Sequence, residues 1–404
     1  MSLVPTLGAV VHTLRHELAA RLGRTWRSAR REARPLRIGV DIRPFYEPLT
    51  GVGWYLYYLL HELAKRPDVE LCLFGDARIT EHGPRLHADI PANARYLTFD
   101  LRGQTPGRFD RPLTAAAYVA WMELAGCDVW FAANYFLPRL HSAVARRRVI
   151  TIHDLTYKRF PELLQKETLF ALEAQMAREI AAADAIICVS ESTRRDLLRF
   201  YNVDPSRAVA IHSGLGAPKQ ASPIDGLPPR YILFVSTIEP RKNLGTLIDA
   251  YQKLRDRGVY DGSLVVVGRV GWKSESLLPR LQAPGVVHLD YLEASQLVTV
   301  YRNAEVFAFP SIYEGFGFPL LEAMTHGVPT VAARSSSLPE VGGDAALYFE
   351  PADANELAAQ LERLVTNPEL RAELAAKGRE QVAKFRWDHA ADETLAVLRR
   401  VAGA

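Results

Sequence analysis

From Leu36 onward the chain alternates short apolar runs with stretches in which apolar residues recur at helical spacing. Leu36 to Val40, Glu70 to Phe74, Val129 to Ala132, Arg148 to Ile152 and Ala185 to Val189 have strand length, and Gly53 to Leu63 reads as a helix. Runs this apolar predict strands buried on both faces, hence parallel sheets built from βαβ units and an α/β fold. A second series contains Tyr231 to Ser236, Leu264 to Val267, Val286 to Leu289, Val306 to Phe309 and Thr330 to Ala332, with helices between. Residues 214–230, GLGAPKQASPIDGLPPR, hold three Gly and four Pro, the composition of an exposed connection. The pattern therefore predicts two Rossmann-like halves, 36–213 and 231–404, joined by a linker at 214–230. Ligand is expected in the cleft outside the strand C-termini.

Ahead of these halves, residues 1–35 form an arm in which Leu7, Val11, Leu14, Leu18, Leu22 and Trp26 mark one helical face. The arm also holds Arg15, Arg21, Arg24, Arg27, Arg30, Arg31 and Arg34. Such a helix suits an anionic membrane surface, and it equally suits packing on its own domain. With seven Arg and two Glu the arm carries +5, which leaves −2 of the net +3 for the rest of the chain. The body lacks the broad basic face expected of a nucleic-acid enzyme.

At 404 residues, with 48% hydrophobic and 24% charged positions, the chain is that of a globular protein with a sizeable core. No apolar run approaches the roughly 18 to 20 residues that span a bilayer. Cys72, Cys127 and Cys188 have no C-x-x-C spacing, sit in apolar stretches and read as reduced core residues. The N-terminus lacks a signal-peptide apolar region, so a cytoplasmic location is expected, with the arm able to reach the inner face of the cytoplasmic membrane.

Candidate chemistry lies at two strand-to-helix turns. After Tyr231 to Thr237 comes Ile238-Glu239-Pro240-Arg241-Lys242-Asn243 and a helical pattern, so Arg241 and Lys242 fall where a helix N-terminus, a guanidinium fork and an ammonium suit a diphosphate. After Val306 to Phe309 comes Tyr313-Glu314-Gly315-Phe316-Gly317-Phe318-Pro319-Leu320-Leu321-Glu322. Pro319 suits the start of a helix, which places Glu314 in the loop and Glu322 in the first turns. Glu322 could accept from two ribose hydroxyls, Glu314 would face a reacting sugar, and Gly315 and Gly317 would let backbone N–H groups approach a hydroxylated ligand.

Glu314 and Glu322 with seven residues between, preceded by Glu239 to Asn243, resemble the family 4 retaining glycosyltransferases. Thr50-Gly51-Val52-Gly53, Ile152-His153-Asp154, Val189-Ser190-Glu191-Ser192 and Leu338-Pro339-Glu340-Val341 extend the resemblance over residues 36 to about 395. It implies the GT-B fold, two Rossmann-like domains with parallel sheets facing across a cleft, the first (36–213) taking the acceptor and the second (231–404) the nucleotide-sugar, with a last helix able to cross back to the first domain. It also implies that Arg241 and Lys242 bind the donor diphosphate and Glu322 the ribose. Glu314, Gly315, Phe316 and Gly317 would hold the transferred sugar, Gly51 and Gly53 approach the donor phosphates, and His153 lie beside the sugar as an orienting group.

Leu56 stands where a dinucleotide fingerprint would need a third glycine, which disfavours nicotinamide. No Asp-x-Asp and no metal-ligand spacing occurs, so neither metal nor cofactor is expected. The expected partners are a nucleotide-diphosphate sugar and a glycan or lipid-linked glycan. Ile238 to Asn243 and the opening Asp41-Ile42-Arg43 are similar to polysaccharide mannosyltransferases and favour GDP-mannose. A UDP-sugar donor, a sugar-nucleotide epimerase or phosphorylase on the same plan, and a non-catalytic subunit are the alternatives. Base contacts are expected near Tyr291 and Leu292.

Overall fold

The protein is described by a computed structural model over residues 34–46, 48–76, 86–99, 125–133, 147–164, 166–216 and 220–403. The basic arm lies outside these residues except for Arg34 and Pro35. The first half contains β1 (Leu36–Asp41), β2 (Val69–Asp76), β3 (Arg95–Phe99), β4 (Val129–Ala132), β5 (Arg148–Ile152), β6 (Ala185–Cys188) and β7 (Ala208–Ala210). They form one parallel sheet in the order β3-β2-β1-β4-β5-β6-β7. The second half contains β8 (Tyr231–Val235), β9 (Ser263–Val267), β10 (Val286–Leu289), β11 (Val306–Phe309), β12 (Thr330–Ala333) and β13 (Ala346–Phe349). These are also all parallel, in the order β10-β9-β8-β11-β12-β13.

Both sheets reverse strand order at one place, between β1 and β4 in the first and between β8 and β11 in the second. Loops leaving adjacent strands at such a point diverge to opposite faces and open a crevice at the carboxyl ends. The periodic residues cover the sheets. The helix Leu244–Asp256 buries Leu244, Leu247, Ile248, Tyr251 and Leu254, and the helix Gly51–Leu63 buries Tyr55, Leu56, Leu59, Leu60 and Leu63. Each such side chain contributes about 1.5 to 3 kcal/mol by leaving water. The Gly51–Leu63 helix starts at Gly51 behind the N-cap Thr50, two residues before the expected start at Gly53, so Gly51 and Gly53 both lie in its first turn.

The chain passes between the halves twice. After β7 it runs through 214–230 into β8, and the final helix, Trp387–Ala402, returns to lie against Gly51–Leu63. Arg66 holds Asp392 at 2.6 Å, Arg399 pairs with Asp68, and Tyr55 packs edge-on to Trp387 with centroids 5.7 Å apart. At the crossings, Leu215 N donates to Phe385 O at 3.1 Å.

Candidate active site

The loops after β8 and β11, which flank the second sheet's reversal, carry the charged motifs. Pro240–Lys242 form a 3-10 turn closed by Asn243 in the left-handed conformation (φ 54), one that asparagine tolerates better than most residues. Asn243 Nδ2 donates to the carbonyls of Pro310 and Pro351 at 3.1 and 2.7 Å, and Ile312 N donates to Arg241 O at 2.9 Å. The two loops are thereby sewn together.

Between them lies a buried ionic knot. Glu314 accepts from Lys242 Nζ at 2.5 Å and Ser311 Oγ at 2.6 Å on one oxygen, and from Arg241 Nη1 at 3.1 Å on the other. Arg241 also donates to Glu239 Oε1 at 2.6 Å and to Tyr313 O at 2.8 Å. Lys242 is buried, at 8% exposed, and Arg241 beside it is half-buried. Burial opposes ionisation of Glu314, but the two cations and Ser311 outweigh it and hold its carboxyl down at about 2. Burial, opposed by Glu314, presses the Lys242 ammonium below the usual lysine range. Glu239 moves the other way: burial raises its carboxyl in spite of Arg241.

Glu322 lies on the helix Phe318–Thr325, whose start carries Pro319 and is capped by Gly317 at φ 106. Its carboxylate accepts from Tyr301 Oη at 2.9 Å, and burial pushes it above the ordinary range against that bond. The two carboxyl groups of the motif are thus shifted in opposite directions. His153, just past β5, has a ring held by donation from Nε2 to Ala133 O at 2.7 Å. Burial lowers its pKa, so the ring is neutral and its lone pair sits on Nδ1.

Three glycines turn out to have structural duties. A Cβ on Gly315 would stand 1.7 Å from His153 O, so this glycine lets the halves meet. Its carbonyl accepts from Ser190 Oγ at 2.6 Å across the cleft. Gly317 is required by its positive φ, and a Cβ on Gly53 would press Leu49 at 2.9 Å. Gly51 alone of the first pair lines the cleft and has open space around it. Phe316 packs edge-on to Phe318 and Phe385 at 5.0 and 5.7 Å.

The cleft is a cavity of about 690 Å³ that brings together Gly51, His153, Arg241, Lys242, Glu314, Gly315, Phe316, Gly317 and Glu322. Gly53, Tyr291 and Leu292 do not line it; Tyr291 is exposed, with Arg269 over its ring at 4.5 Å. Ser190 caps the helix Glu191–Phe200 by accepting from Thr193 N. Glu340 reaches that helix from the second half, accepting from Glu191 N and Ser192 N at 2.6 and 3.0 Å and contacting His212 Nε2 at 2.5 Å. Tyr313 likewise crosses, donating to Asp196 at 2.8 Å. Ser311 and Tyr301, which hold the two carboxylates, carry no signal in the sequence, being single polar residues outside any motif. Among the described residues no group of three His, Cys, Asp or Glu could hold a metal ion, and no helix is long and apolar enough to cross a membrane.

Two Rossmann-like halves enclosing a cleft with cations on one wall define a GT-B glycosyltransferase architecture. The family model "Glycosyl transferases group 1" matches residues 220–381, and "Glycosyltransferase Family 4" matches residues 49–216. The chain is 31% identical to the O-antigen chain mannosyltransferase B of Escherichia coli, with 89% of this chain and 98% of that one covered. It is 30% identical to the MMP alpha-(1->4)-mannosyltransferase of Mycolicibacterium hassiacum over 65% of this chain and 64% of the other. Sucrose-phosphate synthase of Thermosynechococcus elongatus shares the fold, with a TM-score of 0.67 at 19% identity, covering 91% of this chain and 99% of that one. The chain belongs to the family 4 glycosyltransferases.

Proposed function

We propose that the protein transfers mannose from GDP-mannose to a glycan or lipid-linked glycan in surface polysaccharide synthesis, with the donor's α configuration retained and without a metal. The observation that carries this reading is the buried set of Arg241, Lys242 and Glu314 facing the cleft. It is supported by the 31% identical relative, named for mannosyl transfer to an O-antigen chain. As the bond from the sugar's C1 to the diphosphate breaks, charge grows on the leaving oxygens. Arg241 and Lys242, already fixed by Glu314 and Glu239, meet that charge without having to reorganise. The acceptor hydroxyl bonds to C1 on the same face, and its proton passes to the departing phosphate oxygen.

Glu322 takes the ribose hydroxyls, with Tyr301 fixing its second oxygen. Neutral His153 accepts from a sugar hydroxyl and orients the ring rather than forming a bond to it. Gly51 lets the first half's helix N-terminus come close to the phosphates. Differential scanning fluorimetry with GDP-mannose, GDP-fucose, UDP-glucose and UDP-N-acetylglucosamine tests the donor. The largest rise in melting temperature is expected for GDP-mannose, because a ligand that binds only the folded state raises apparent stability. A larger rise with a UDP-sugar would replace the donor.

A further inference from the structure

Arg241, Lys242 and Ser311 hold the carboxylate of Glu314, and a second set of residues holds the backbone of the loop on which it stands. After β12 the chain passes Arg334 into three consecutive serines, Ser335, Ser336 and Ser337, which lead into the short helix Leu338–Gly342. Each serine turns its hydroxyl on the loop between β11 and the helix Phe318–Thr325. Ser335 Oγ donates to Ile312 O, and Ser336 Oγ accepts from Glu314 N at 2.7 Å. Ser337 Oγ lies 3.0 Å from Glu314 O and 2.8 Å from Phe316 O, its one hydrogen shared between them. Ser337 is fully buried, and none of the three serines lines the cavity.

These bonds set a direction. A trans peptide is planar, with its N–H opposed to its C=O. Holding the carbonyls of Glu314 and Phe316 on Ser337, behind the loop, therefore turns the N–H groups of Gly315 and Gly317 to the front, and both glycines line the cleft. The carbonyl between them, on Gly315, is held by Ser190 of the first half, so no peptide from Glu314 to Gly317 is left free to rotate. Ser336 itself stands at φ 47, in the left-handed region, where a Cβ is strained and glycine would be at ease. At that position the hydroxyl is what serine offers over glycine, and the hydroxyl goes to Glu314 N.

We propose that Ser336 and Ser337 are positioning residues for the donor sugar: without touching it, they aim the Gly315 and Gly317 N–H groups at its hydroxyls through the backbone of the loop. This role rests on the reading of the cleft as a nucleotide-sugar site. Two tasks are thereby separated on one loop, with Arg241 and Lys242 fixing the side chain of Glu314 and the serines fixing the amides beside it. The diphosphate and ribose fall to Arg241, Lys242 and Glu322 in that reading. Loss of a serine should therefore be felt by the sugar and not by the nucleotide.

Calorimetric affinities of the full chain for GDP-mannose and for GDP separate the sugar from the nucleotide. Ser336→Gly removes the hydroxyl and relieves the strained φ, so the fold should hold. Its affinity for GDP-mannose should fall on the order of tenfold while that for GDP stays at the wild-type value. Ser337→Ala should show the same sugar-selective loss, together with a lower melting temperature because two buried carbonyls lose their donor. An unchanged ratio of the two affinities in either variant would overturn the proposal, whether both affinities fall together, as a purely structural role requires, or neither moves. The same measurement with UDP-glucose and UDP keeps the donor separate: a sugar-selective loss in that pair alone would replace GDP-mannose and still support the role of the serines. A wild type that binds neither nucleotide sugar would remove the donor reading and the proposal with it.

Discussion

The two halves repeat one plan, and the turn after the first strand of each opens onto the cleft, yet the turns are built from different material. After β1 the chain presents Thr50, Gly51 and a helix N-terminus, with no charged side chain from that first helical turn. After β8 it presents Glu239, Arg241 and Lys242, locked to Glu314 from the neighbouring loop. The same fold position thus supplies close backbone approach on one side and fixed charge on the other. The fold decides where a ligand lies, and side chains at equivalent places divide the chemistry.

The charged turn should be the more fragile. Lys242→Ala strands Glu314 beside a single remaining cation, and breaking such a buried pair costs about 3 to 5 kcal/mol. We expect a fall in denaturation midpoint together with transfer slowed on the order of a hundredfold to a thousandfold. Wild-type stability and rate in this variant would remove the knot from the account. Glu314 adds a pH signature. Its carboxyl lies at about 2 in the fold against an ordinary 4.5, so its contribution is full above pH 4.5 and is lost as pH falls towards 2. The linked stability is about 3 kcal/mol. Urea titrations should find that part of the acid slope missing in Glu314→Gln.

Contact between the halves comes next. Gly315→Ala puts a carbon into the His153 carbonyl, and misplacement of this size costs on the order of a hundredfold in kcat/KM. Small-angle scattering should record a more open particle; an unchanged profile would mean that closure does not depend on this contact. The glycine turn of the first half should respond differently. Gly51→Ala meets nothing within 4 Å and sits in a helix, so it should stabilise the protein by about 0.4 to 1 kcal/mol while raising the donor KM. If KM does not move, the phosphates do not approach Gly51.

Tyr301→Phe should have a smaller effect. Removing the hydroxyl takes away the bond that holds the Glu322 carboxyl down, so its pKa rises further. Donor KM should then begin to climb at a higher pH than in the wild type as solutions are acidified, with little change above neutrality. The smallest effect concerns the arm. If the arm docks on an anionic membrane, deleting residues 1–30 should abolish sedimentation with anionic liposomes and spare transfer to a soluble acceptor. Added salt should mimic part of the loss, because each Arg near such a surface contributes about 1 kcal/mol that ions screen. A lower melting temperature with liposome binding unchanged would instead place the arm on its own domain.

Legibility in the sequence followed burial. Central strands such as β8 and β11, apolar on both faces, stand out as continuous runs, whereas the unanticipated β3, β7 and β13 are all sheet edges. An edge strand is half exposed and short, and its pattern fades into that of a loop. At the site, Arg241, Lys242, Glu314 and Glu322 were readable because each follows a strand in a charged motif. Their partners were not: Ser311 and Tyr301 matter only through distances that spacing does not encode. Gly315 and Gly53 were readable as glycines but not in their purpose, because what a missing Cβ avoids belongs to a residue far away in the chain or to the packing of a neighbouring turn.

In the proposed transfer, charge is met on one face of the sugar and by residues of this chain alone. The decisive measurement is the one-bond carbon–proton coupling at the anomeric centre of the product, made from GDP-mannose labelled with carbon-13 in the sugar and with EDTA present. Undiminished turnover and an α-linked product, the donor's configuration kept, are expected. A β-linked product, or loss of transfer that added divalent metal restores, would contradict the proposed transfer.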